Sequence, residues 1–209
     1  MNFMQKTNLR HWLWFGLTLV LIAVVALLGP AERSLGSQVR VVYLHGAWVW
    51  TALAAFVTSG VIGLLGFILH RENWQCWSRD LGRTGLFFWV SYLPLSLWAM
   101  QTTWNGLFLS EPRWRLALAF SVSGLLLQLG LSLLGSLRLT SLGNLVFIGV
   151  LLYNLVGTEN VMHPASPILT ADAWLFRIYF FGLFVLTLLA AGQIARFFRR
   201  FAGCPPQPQ

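Results

Sequence analysis

Two histidines are the residues best suited to bind something. His45 lies in "VYLHGAWVW" (42–50) and His163 in "VMHPASP" (161–167). A neutral imidazole is a good axial ligand for haem iron, and two of them can hold one iron from opposite faces. Zinc is a weaker reading, because it requires three or four ligands and no further histidine or cysteine accompanies this pair. The remaining histidines, His11 and His70, stand beside Arg10 and Arg71, where an interfacial role with the polar tip in water is sufficient. The two cysteines, Cys76 and Cys204, form no CxxC or CxxCH motif. They are expected to be reduced thiols on the cytoplasmic side.

The segment "TTWNGLFLSEPRWR" (102–115) supplies a second kind of chemistry. Trp104, Phe108 and Trp114 are interleaved with Glu111, Arg113 and Arg115. Such a segment reads either as an aromatic belt at a membrane surface or as a flat platform with cations beside it. On the second reading the indoles would cover a porphyrin and an arginine would pair with its propionates. Glu111 and Pro112 also suit the start of a helix. Trp48 follows His45 by three residues, on the same helical face. Arg177 lies just inside an apolar run. It must snorkel or pair, with Glu111, Glu159, Asp172 or a propionate as the choices.

The elements that position these residues follow from composition. The chain has 209 residues, 57% hydrophobic and 10% charged, with a mean hydropathy of +0.69. Soluble domains carry about 25% charged residues, so the chain reads as a membrane protein. The fold class expected is all-α, a polytopic membrane protein of six transmembrane helices in one domain (1–202). Its spans fall at about 12–29, 44–69, 84–101, 116–136, 140–157 and 173–195. The fifth is interrupted by Asn144 and Asn154. Residues 203–209 read as a disordered tail.

With both termini cytoplasmic, Lys6, Arg10, Arg71, Arg79, Arg83, Arg138, Arg196, Arg199 and Arg200 lie inside. Arg33, Arg40, Arg113 and Arg115 then lie outside. That imbalance obeys the positive-inside rule. It also puts His45, residues 102–115 and His163 on one outer face. The net charge of +8 is accounted for by these loop ends, without a nucleic-acid partner. No nucleophile–base pair, metalloprotease motif or phosphate-binding glycine loop argues for an enzyme.

These motifs, in this order, resemble the cytochrome c assembly family of haem-handling membrane proteins, and most closely its six-span haem-exporter-C type. "HGAW" (45–48) is similar to the family's His-Val-Pro-x-Ala-Trp stretch opening the second span. "SEPR" (110–113) is similar to the end of its tryptophan-rich loop, Trp-Asp-x-Arg, with Glu111 in place of the aspartate and Arg113 kept. "MHPASP" (162–167) resembles its Leu-His-Gln-Pro-Ala-Ser segment. The tryptophan-rich motif is degenerate, since Leu107, Phe108, Leu109 and Ser110 precede Glu111.

The resemblance implies haem handling at the outer face of the cell inner membrane. His45 and His163 would be the axial ligands of a non-covalently and transiently bound haem b. Trp48, Trp104 and Trp114 would line it, and Arg113 would meet a propionate. Haem would pass to a carrier or an apocytochrome, with other cytochrome c maturation subunits or a haem chaperone as partners in the lipid bilayer. Two alternatives stand beside this reading. One is a membrane scaffold or accessory subunit without haem. The other is a bis-histidine b-type electron-transfer protein.

Overall fold

A computed structural model describes residues 3–33, 35–158 and 174–204. The described chain is helical, in the order α1 (Phe3–Leu27), α2 (Val39–Ile68), α3 (Glu72–Thr103), α4 (Pro112–Leu134), α5 (Leu137–Gly157) and α6 (Trp174–Phe201). Five of these, all but α3, are long and apolar enough to cross a membrane. In such helices every interior backbone group is satisfied within the segment, which is what a hydrocarbon environment demands.

The helix ends follow local chemistry. Glu111 caps α4 by accepting from the Trp114 amide at 2.8 Å, with Pro112 in the first turn. Gly135, at φ +63°, ends α4 in the left-handed conformation that lacks a Cβ penalty. Ser136 then caps α5, so α4 and α5 form a tight hairpin.

The least apolar helix, α3, is the centre of the bundle. It packs along α2 and also meets α4, α5 and α6. Its expected apolar stretch (84–101) is preceded by three turns that are also helical, and these carry polar side chains into the interior. Ser78, Asp80 and Thr84 are fully buried. Each has a partner: Ser78 Oγ accepts from Asn144 Nδ2 at 3.2 Å while Ser59 Oγ donates to the Ser78 carbonyl at 2.6 Å, Thr84 Oγ1 donates to the Asp80 carbonyl, and Asp80 pairs with Arg79 and Arg199. Burial by protein rather than lipid explains how a less apolar helix can occupy the middle.

Close approach of α2, α3 and α5 depends on glycine. A Cβ on Gly63 would stand 2.5 Å from Ser78 Oγ and 3.2 Å from the Ser141 carbonyl. One on Gly82 would stand 2.7 Å from the Asn144 amide. Small residues at such crossings let backbones approach where apolar burial cannot drive association.

Asn144, which looked like an interruption of the fifth span, is instead a buried junction. It donates to the Ser78 carbonyl at 3.0 Å and accepts from Gln128 Nε2 at 2.8 Å, tying α5 to α3 and α4. Asn154 donates back to the Val150 carbonyl of its own helix at 2.8 Å.

The cysteines differ from expectation. Cys76, in the second turn of α3, is disulfide-bonded to Cys204, just beyond α6, with Cα atoms 6.4 Å apart. They are not two reduced thiols. The fold brings the start of α3 and the end of α6 together, a proximity that a separation of 128 residues conceals. Gly203 and Cys204, read from sequence as part of a disordered tail, are therefore attached to the bundle, and 205–209 lie outside the described residues.

Candidate functional site around His45

His45 sits in the second turn of α2, partly buried, and its ring stands 5.5 Å from that of Tyr92 on α3. Tyr92 is buried and also packs edge-on against Trp89 at 5.1 Å. The Trp89 indole N–H donates to the Ala117 carbonyl at 3.1 Å, joining α3 to α4. Around His45 the contacts with α6 are tight: a Cβ on Gly46 would meet Phe180 at 3.1 Å, and Thr51 and Thr187 share a hydrogen bond of 2.6 Å. Tyr43 packs on Tyr179, whose hydroxyl donates to the Val25 carbonyl of α1 at 2.7 Å. The imidazole is thus held on rigid helices rather than on a loop.

The segment between α3 and α4 leads into α4, which Trp89 ties to the Tyr92 side of α3. Glu111, at the head of α4, is buried. One carboxylate oxygen caps α4, while the other is buried without a hydrogen-bond partner among the described residues. Arg113 Nε is likewise a buried donor with no hydrogen-bond partner there. A buried donor of this kind carries a cost that a carboxylate would remove.

The aromatic residues divide. Trp48 fastens α2 to α3: its N–H donates to Ser91 Oγ at 2.8 Å and its ring lies 4.7 Å from Phe88. Trp114 is only 9% exposed, so little of its indole faces outward. Trp104 caps the end of α3, partly exposed, and packs edge-on against Phe108 at 5.9 Å. Arg177 is in the first turn of α6. His163, Glu159 and Asp172 lie outside the described residues.

Tyr92 is the residue that sequence reasoning missed. The available signal was a phenol in an apolar stretch, three residues after Trp89 and so on its face of the helix. Among the described residues no three His, Cys, Asp or Glu side chains gather as a metal site.

Fold and site together define an all-helical protein with membrane-length helices and an imidazole set into one end of the bundle. Comparison with known proteins adds no name: no family model matches the chain, and no curated protein or solved structure is significantly similar to it.

Proposed function

We propose that the chain is a six-span membrane protein with both ends in the cytoplasm, and that it handles haem at its outer face during c-type cytochrome assembly. The hairpin geometry supports α3 as the sixth span. It follows α2 through the short link Leu69–Arg71 and runs back along it, so a crossing by α2 calls for a return by α3. The excess of arginine and lysine at one end of the helices supports the orientation, while the Cys76–Cys204 bond at that same end counts against it, because cytosolic thiols are kept reduced.

The observation that carries the haem reading is a chain of contacts from "HGAW" to the helix that "SEPR" opens. His45 packs against the Tyr92 ring, Tyr92 packs against Trp89, and the Trp89 N–H donates to the Ala117 carbonyl of α4, whose head Glu111 caps. Two segments that resemble one family's haem motifs are thereby carried on helices joined to one another. Arg113 fits the cargo, because its buried Nε is a donor in search of an acceptor and a propionate is a carboxylate. In this reading His45 and His163 supply the axial nitrogens, and Trp48, Trp104 and Trp114 supply apolar surface. The protein binds, orients and releases; it need not carry out a reaction.

Absorption spectra test the proposal. The purified wild type should show a Soret band, lost or shifted in His45→Ala and in His163→Ala. Unchanged haem content in both variants would overturn it.

A second reading, a membrane scaffold without haem, draws on the tryptophans. Trp48 and Trp114 are spent on packing, which an accessory subunit would also require. That reading predicts no pigment at any haem supply.

A further inference from the structure

At the opposite end of the bundle from His45, α3, α4, α5 and Ala202 beyond α6 line a partly open recess of about 250 Å³. Its polar lining comes from Arg79, Arg83, Gln128, Ser132, Ser136 and Thr140. Arg79 and Arg83 are one turn apart and so lie on one face of α3.

The two guanidiniums are placed differently. Arg79 pairs with buried Asp80 at 2.9 Å and donates to the Ala202 carbonyl at 3.4 Å. Arg199 also reaches Asp80, at 3.7 Å. Asp80 is therefore the one carboxylate shared by two arginines, and its single charge is already met. Arg83 makes no ion pair among the described residues; it donates to Ser132 Oγ at 3.0 Å. The start of α5, at Ser136 and Leu137, opens on the same cavity, adding the positive end of a helix dipole. The last turn of α4, Leu131 to Gly135, borders the same recess and brings the negative end of its dipole, so the net positive character of the lining comes from the two arginines.

We propose that this recess is a binding site for a phosphate group, held by Arg83 beside the positive charge of Arg79, with the Ser136 hydroxyl as a further donor. A guanidinium presents paired N–H groups that match phosphate oxygens. The volume lies below the roughly 300–1,000 Å³ of sites that enclose drug-sized ligands. It fits a headgroup or a free phosphate rather than a nucleotide. Basic recesses between helices at the cytoplasmic side of a membrane are where anionic headgroups bind. The site is independent of the haem reading, from which it is separated by the length of the bundle.

The test uses the full chain in phosphatidylcholine nanodiscs, with the unfolding midpoint followed by tryptophan fluorescence. One arm raises the fraction of phosphatidylglycerol. The other adds inorganic phosphate at constant ionic strength. A saturable rise in midpoint is expected, and the arm that shows it identifies the source. Half-saturation should shift by about tenfold in Arg83→Gln and stay unchanged in Arg115→Gln, which changes an exposed charge near the other end. Ser132→Leu, which fills the cavity without altering charge, should abolish the rise and provides the same test should Arg83→Gln fail to fold. No saturable rise in either arm, or a rise that survives in whichever of these two cavity variants folds, would overturn the proposal.

Discussion

His45 and Tyr92 meet ring to ring across the contact between α2 and α3, 5.5 Å between centroids and tilted by 56°. Tyr92 is 5% exposed and has Trp89 on another side, so its ring fills the space between the imidazole and the core. Tyr92→Ala should cost about 3 kcal/mol, as truncation of a buried aromatic does. Tyr92→Phe keeps the ring and should cost less than about 1 kcal/mol. Unfolding midpoints of the two variants in one detergent measure the difference. Equal losses would assign the role to the hydroxyl instead of the ring.

The Gly63 contact makes a sharper steric prediction. A methyl at this position would be 2.5 Å from Ser78 Oγ, with the Ser141 carbonyl behind it. Gly63→Ala should lower stability by about 1–3 kcal/mol through overpacking, and Ser78→Ala in the same chain should restore part of it. Gly16→Ala is the control. Nothing lies within 4 Å of a Cβ there, so the greater helix propensity of alanine should leave stability equal or higher. Thermal unfolding of the four proteins decides the matter.

Asp80 predicts a coupling. It is fully buried and held by Arg79 and Arg199, so removing its charge leaves two cations facing each other. Asp80→Asn should cost about 3–5 kcal/mol, the range for breaking a buried pair by losing one partner. The double variant Asp80→Asn/Arg79→Gln should cost less than the sum of the two single changes, because the repulsion goes with the second charge. An additive result would remove the ion pair as the organising feature of this end.

These cases also mark how far the sequence could be read. The five apolar helices were legible because the length of an apolar run is a local property. The polar turns at the start of α3 were not. Whether Ser78 and Asp80 are buried depends on Ser59, Asn144 and Arg199, which come from other helices. Asn144 was misleading for the same reason: its partners, Ser78 and Gln128, are distant in sequence or belong to another helix. At the candidate site the motif order picked out His45 and Glu111–Arg113. It did not indicate that Tyr92 packs on His45. Nor did it tell an interfacial tryptophan from one such as Trp48, whose N–H is tied to Ser91; side-chain neighbours decide that, and composition is silent on them.

The bond between Cys76 and Cys204 yields the last prediction. It joins the start of α3 to the residue beyond α6, and the thiol positions are surrounded by cations: Arg199 Nη1 stands 2.9 Å and Arg79 Nη2 3.9 Å from Cys204 Sγ. Neighbouring positive charge favours the thiolate, the species that forms and exchanges disulfides. Digestion without reduction should therefore give a linked peptide containing both cysteines, which reduction separates. Cys76→Ala/Cys204→Ala should fold with the same helices but lose about 2–4 kcal/mol, the usual contribution of a bond closing a long loop. The loss should be seen in the wild type on adding reductant and should be absent in the double variant. A wild-type midpoint that reductant leaves unchanged would mean that the bond adds nothing to stability, and that the arginines around Asp80 alone hold the two helix ends together.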